Sequence, residues 1–433
     1  MSYTSNKTKC FSHFLEILVL LWGSVAVSNL TLDSRIVFSA ITYAHIIPEK
    51  TLPALYHIFV WSLNCLASGV YPTHDHEGKE FSATYHPKRA SLAGTPLANG
   101  YRGIWAELRG DWKWQVEALA LDRSYLRNAC CHLCRAHKTI RRLWYTQTDQ
   151  ASILRRTCVS NATFRDWQRR RPVGQQTPFL NIIGFNIWCC IVDAMHTLDL
   201  GVYQSLFASG LLFAARQNVW AGASLQEMYS RAYVEYRAWC RGKRLAPCPH
   251  FVYSKMCSSG EYPMLTQQQA KGAQTKHLML WLFTIFDAPG FVVDDDTAVV
   301  WHLFKQWSVF ELICTRNTRF MEPADIPSLC EAAENAMRAH RDLFLGAVAT
   351  EQLLWQITPK FHMITHMVYD GAGKSVLNPR RTTNYSDEDM VGRIKRIVSS
   401  CHGATAGVMS MHRYIILAGM RWWHQLGRAR GIM

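Results

Sequence analysis

Residues able to do chemistry stand at five places in this sequence. Asp193 and His196, in DAMHTLDLG, break the apolar stretch 182–192 and are three residues apart. At that spacing two side chains share one helix face, so an apolar element presents a carboxylate beside an imidazole. The pair reads either as a helix N-cap followed by a satisfied core histidine, or as polar groups supporting a site. Cys131 and Cys134 form a CxxC, and His362 and His366, four apart in KFHMITH, lie on one helix face and can reach one metal ion. Asp111 follows Arg109 and Gly110 at the end of the stretch 101–108, YRGIWAEL, which reads as a strand. A carboxylate after a glycine at a strand end is a common position for chemistry in α/β folds. Asp387, Glu388 and Asp389 form an acidic trio. A further group, His74, Asp75, His76 and Glu77, sits in the polar loop 68–100 and reads as solvated rather than as a metal site.

These residues need elements to hold them. The apolar run 17–27, ILVLLWGSVAV, follows Lys7 and Lys9 and admits two readings. One is the h-region of a targeting segment; the other, adopted here, is a buried strand of a mostly parallel sheet. It is too short to span a membrane, and His13 and Glu16 flank it. Residues 52–66 carry helical spacing, with Leu55, Ile58, Phe59, Ser62, Leu63 and Leu66 on one stripe. From about 204 to 351 amphipathic segments such as 276–286 and 299–313 alternate with Pro263, Pro289 and Pro323, which predicts a mainly helical middle. The C-terminus, MHRYIILAGMRWW, also reads as helix.

Composition narrows the class. With 49% hydrophobic and 12% aromatic residues in 433, the chain has the material for a sizeable core and is not disordered. Its 14 cysteines are too sparse for a disulfide scaffold, and Cys65, Cys189 and Cys190 lie in apolar runs, which points to a reducing compartment. The formal charge of +15 is focused. Residues 135–171 hold ten Lys and Arg against Asp149 and Asp166, and 380–430 hold nine against the acidic trio. Focused positive charge implies a polyanion, most economically nucleic acid.

Taken together, GDWKWQVEALAL…CCHLCRAHKT, DAMHTLDLG, KFHMITH and YSDEDMVGRIK resemble the DDE transposases of the CACTA/Plavaka type. The likeness is strongest over about 100–200 and 355–415. It implies an α/β, RNase H-like core interrupted by a large, mostly helical insertion domain. Residues 1–135 would form the first part of the core, with the loop 68–100. Residues 136–355 would form a basic linker and the insertion, and 356–433 the C-terminal part with the glutamate helix. In the related V(D)J recombinase core a CxxC follows the second catalytic aspartate and a histidine pair precedes the glutamate. That order maps onto Cys131, Cys134, His362 and His366 as one structural Zn²⁺ site; the alternative is two unrelated pairs.

The reaction implied is strand cleavage and transfer on double-stranded DNA by two Mg²⁺ or Mn²⁺ ions held on carboxylates. Asp111 matches the family's second aspartate and Glu388 its final glutamate, with Asp387 and Asp389 as alternatives for that carboxylate, while Asp193 and His196 match a supporting motif. Arg141, Arg142, Arg155, Arg156, Arg165, Arg169, Arg170 and Arg171 are expected to line the DNA path. The family's first aspartate has no counterpart before or inside 17–27, and Asp33 is the nearest beyond it. The expectation is an N-terminally truncated, two-carboxylate remnant that binds DNA without two-metal catalysis, or a non-catalytic zinc-stabilised DNA-binding module. Nuclear residence, self-association and no membrane follow from the same likeness; a secreted or membrane-associated protein follows only if 17–27 is a targeting segment.

Overall fold

The structure, a computed structural model, describes residues 17–23, 35–42 and 46–429. Asp33 and the end of the 17–27 run lie outside them. The chain folds as two compact units, Met1–Trp105 with Thr177–Phe185 and Tyr385–Met433, and Ala106–Gln176 with Asn186–Asn384.

In the first unit, strands β1, Ile17–Gly23, and β2, Arg35–Thr42, pair antiparallel with an irregularity between Leu20 and Leu21. The strand expected at the start of the chain is present, but its partner corrects the parallel reading. The connection 24–34 is shorter than the dozen or more residues a parallel crossover requires. On β2 the inward residues Val37 and Ala40 join Met390, Ile394 and Val398 of helix Tyr385–Ser399 and Ala406 and Tyr414 of helix Ala406–Ala429 in one core. The Val37 backbone N–H donates to the Tyr414 hydroxyl at 3.1 Å, and Arg35 pairs with Asp387.

Helix Thr51–Ser68 ends at Gly69, whose φ of 72° suits a residue without Cβ. Its buried face is Tyr56, Phe59 and Val60, rotated from the stripe read in the sequence. The reason is aromatic docking: the Tyr56 and Phe59 rings lie 5.1 and 6.2 Å from Phe179.

The second unit is predominantly helical, as its middle segment predicts. Helices Tyr203–Arg216, Gly272–Phe286, Asp295–Arg316 and Ile326–Ala349 pack successively around Phe207, Trp281, Phe304, Trp307 and Phe310. Their ends follow local chemistry. Ser224 accepts from the Glu227 N–H while Glu227 reaches back to the Ala223 N–H, and Asp294 accepts from the Thr297 N–H at 2.8 Å. The run Met195–Arg216 is long and apolar enough to cross a bilayer, yet 83% of its apolar window is buried, so here it serves as a core helix.

An RNase H-like α/β core is not what these elements form. Among the described residues β1 and β2 are the only named strands, and everything else regular is helical. The strand expected at 101–108 is irregular chain. Tyr101 and Ile104 are exposed, and only Leu108 makes a ladder-like contact, a parallel bridge to Cys190. Without a neighbouring strand on either side, an alternating pattern has no ladder to enter.

Candidate metal centre

Cys131 and Cys134 sit on a loop with little regular structure, so side chains must hold it. Arg123 does this, donating through Nε to the Cys131 carbonyl at 2.6 Å and through Nη2 to the Ala136 carbonyl at 3.1 Å. The loop then turns its own N–H groups onto the sulfurs. Leu133 N–H donates to Cys131 Sγ at 3.3 Å, and Ala136 N–H to Cys134 Sγ at 3.4 Å. N–H groups aimed at sulfur favour the thiolate over the thiol.

The histidines come from helix Pro359–Thr365, which continues as the π-helical turn His366–Ala372. Proline at its first position suits a helix start. Spacing of four brings the His362 and His366 rings to 5.1 Å between centroids. The two pairs meet crosswise: Cys131 Sγ lies 3.3 Å from His366 Nε2, and Cys134 Sγ lies 3.1 Å from His362 Nε2. All four ligand atoms lie within 4.8 Å of one another, and all four residues are buried. This set can hold a metal ion. The four residues, expected from the sequence as one site with two unrelated pairs as the alternative, are one cluster drawn from segments 228 and 235 residues apart.

Burial pushes the Cys131 thiol up. Burial opposes ionisation of Cys134 too, but the hydrogen bond with Cys131, the Ala136 N–H and the charges of Arg123 and Arg155 bring it below its ordinary value. Burial lowers His362; for His366 it is outweighed by Cys131 and by Asp370. His132, between the two cysteines, is fully buried and pushed down to about 3 by desolvation, which keeps it a neutral packing residue against Trp112.

Asp370 was not among the residues singled out in the sequence. Its carboxylate accepts from His366 Nδ1 at 2.8 Å, from Arg155 Nη2 at 2.7 Å and from Lys374 at 2.8 Å. Burial alone would raise it, but these donors hold it well below the usual carboxylate range. A signal was present: Asp370 continues the spacing of four that links His362 to His366.

A second polar group lies in the same unit. The Asp193 carboxylate accepts from the Met195 N–H at 3.1 Å, the His196 N–H at 3.2 Å and the Asn384 N–H at 2.9 Å, and it pairs with His196 Nδ1. Asp193 thus stands at the start of a helical segment and holds His196 as its polar partner. That segment, Met195–Val202, is π-helical and kinks at Leu200, whose carbonyl takes Lys360 Nζ at 2.9 Å. Gly201 is needed there, because a Cβ would stand 2.7 Å from Lys360 Cδ and 2.9 Å from the His196 carbonyl. Asp111 N-caps helix Trp112–Ala118, accepting from the Trp114 N–H at 2.6 Å, and its charge acts on His196 and Lys360. A Cβ on Gly110 would meet the Trp114 ring at 2.2 Å, so the glycine before Asp111 serves packing.

Glu388 belongs to the first unit and Asp111 to the second. Of the acidic trio, Asp387 is engaged by Arg35 and Asp389 by Arg393, whereas Glu388 is exposed with no ion-pair partner among the described residues. The two metal-competent groups among the described residues are the four ligands above and Cys158 with His366 and Asp370; neither includes Asp111, Asp193 or Glu388.

The basic segment divides. Arg141, Arg142, Arg156, Arg169 and Arg170 are exposed, although Arg170 pairs with Asp166 four residues before it. Arg165 and Arg171 are half-buried, and Arg171 is held by Asp122. Arg155 is turned inward, with its side chain 13% exposed, onto Asp370 and over the Tyr369 ring. Compared with protein-family profiles, with curated proteins and with solved structures, the chain finds no match in any of the three.

Proposed function

We propose that this chain is a zinc-stabilised module that binds double-stranded DNA, derived from a DDE transposase of the CACTA/Plavaka type, and that it does not itself cleave DNA. The observation that carries this reading is the convergence of Cys131, Cys134, His362 and His366, in the ligand order that the resemblance implies. Two thiolates and two imidazoles favour zinc over hard cations, and a closed set of four leaves no position for a reactive water. The ion's work is then structural. Exposed Arg141, Arg142, Arg156, Arg169 and Arg170 support a phosphate-binding face. Nuclear residence and self-association belong to the same reading.

The non-catalytic form is favoured by how the acids are used. Two-metal chemistry requires carboxylates free to bridge hard cations. Asp193 is already filled by three N–H groups and an imidazole, and Asp111 caps a helix. DNA binding without Mg²⁺- or Mn²⁺-dependent nicking is therefore expected. The strand cleavage and transfer of the ancestral enzyme would have been served by Asp111, Asp193, His196 and Glu388.

Metal analysis of the purified chain should find about one zinc per molecule, as a closed four-ligand site requires. The Cys131→Ser/Cys134→Ser variant should lose the metal and melt at lower temperature. Replacing the five exposed arginines by alanine should flatten the log–log salt dependence of DNA affinity by roughly 4.5 to 5 units if each contacts a phosphate. Zinc retained in full by the double serine variant, or an unchanged salt slope, overturns the corresponding half of the reading. Robust Mg²⁺-dependent nicking would overturn its non-catalytic form.

A further inference from the structure

Resting on the metal reading above, we propose that Asp370 is the positioning residue of the centre. His366 and Asp370 then serve one metal centre, as ligand and as that ligand's support, and Cys158 beside them does not complete a second metal site.

A histidine binds a metal well only when its other nitrogen is fixed, because that bond sets both the tautomer and the ring direction. His366 meets this condition. Its Nδ1 lies 2.8 Å from Asp370 Oδ2, so the proton stays on Nδ1 and the Nε2 lone pair faces Cys131 Sγ, 3.3 Å away. Asp370 reaches His366 because it stands four residues further along the same π-helical turn. The carboxylate is itself fixed: Oδ1 accepts from Arg155 at 2.7 Å and Lys374 at 2.8 Å, and the Arg155 guanidinium lies 5.1 Å over the Tyr369 ring. His362 has no such carboxylate among the described residues. The support is therefore built on one histidine, the one whose helix changes from α to π beneath it.

The same contacts argue against a second ion. Cys158, His366 and Asp370 place three ligand atoms within 4.8 Å of one another. Both oxygens of Asp370 are already taken, one of them by two cationic groups. A further metal would have to displace those groups and sit beside two positive charges. Arg155, expected in the sequence to face DNA, instead belongs to this shell.

The test measures zinc affinity of the full chain by competition with a chromophoric chelator, together with the absorption spectrum of the Co²⁺-substituted protein. Asp370→Ala should weaken zinc binding by about 10- to 100-fold and shift the Co²⁺ bands. Asp370→Asn keeps a carbonyl acceptor for Nδ1–H and should recover part of the loss, which a merely structural side chain would not show. If Asp370→Ala does not fold, the Asn variant alone should still bind several-fold more weakly than wild type. Cys158→Ala should leave affinity and the one-metal stoichiometry unchanged. Wild-type affinity and spectrum in both Asp370 variants overturn the positioning role. Two metals per chain, one lost in Cys158→Ala, overturn the single-site assignment. A wild-type chain that binds no zinc overturns the metal reading itself, and this proposal with it.

Discussion

At the scale of single residues, the clearest titrating group outside the metal centre is His196. Desolvation by itself would lower the imidazole, but the bond and charge of Asp193, aided by Asp111, raise it above its ordinary value. Lys360 acts in the opposite direction and is lowered by its own burial. A histidine whose folded value is raised contributes stability that is fully present below the unfolded value of about 6.5 and is lost as pH rises through the folded value. Folding stability followed by urea unfolding between pH 5 and pH 9, roughly the histidine range, should therefore carry a component that falls with rising pH. Asp193→Asn should remove that component and bring the His196 NMR titration back towards the ordinary value. A His196 titration unmoved by the substitution would show that the pair is not what holds the proton.

At the scale of elements, the second unit is pinned by one buried ionic knot. Arg380 donates to Asp199 through Nη1 at 2.9 Å and to Glu311 through Nε at 2.8 and 2.9 Å, while the Tyr203 hydroxyl donates to Glu311 at 2.7 Å. It joins the π-helical segment, helix Tyr203–Arg216, helix Asp295–Arg316 and the turn Pro379–Arg381. All three charged side chains are buried, so each has given up its hydration and depends on the others. Removing one partner leaves uncompensated charge, and Arg380→Met should destabilise the fold by about 3–5 kcal/mol. Replacing Arg380, Asp199 and Glu311 together by apolar residues of similar volume should cost far less, because no unpaired charge remains. Urea unfolding of the single and triple variants checks this. A triple variant as unstable as Arg380→Met would mean that packing geometry, rather than unpaired charge, sets the penalty.

At the scale of the whole molecule, a metal held by the Cys131, Cys134, His362 and His366 cluster would do topological work. The second unit is built from two stretches of chain, Ala106–Gln176 and Asn186–Asn384, and each supplies one pair of ligands. An ion there would cross-link residues 228 and 235 apart and so remove freedom from the unfolded chain as well as add bonds to the folded one. Chelation should lower the melting temperature of the protein, and added Zn²⁺ should restore it in proportion to occupancy. Calorimetry with and without a chelator is the measurement. Identical melting curves would show that the four ligands are already held by packing alone.

The sequence determined the local facts about this protein. Spacing of four put His362 and His366 on one face, CxxC put two thiols on one loop, and Ser224–Glu227 and Asp294–Thr297 set helix starts through bonds within a few residues. The helices of the middle segment were legible for the same reason, since periodicity is a local property. Relations between distant segments came instead from packing across the fold. YRGIWAEL has an apolar pattern a strand could use, but no neighbour supplies a ladder, and it stays irregular. The run at 17–23 is a strand, yet its partner is the next segment rather than a parallel neighbour. Eight arginines look alike in sequence, yet Asp370 draws Arg155 inward and Asp122 holds Arg171, while Arg141, Arg142, Arg156, Arg169 and Arg170 stay exposed. The convergence of the two ligand pairs was legible only through the resemblance. Spacing records which side chains share a face, whereas the meeting of two faces depends on burial, packing and charge pairing across the whole fold.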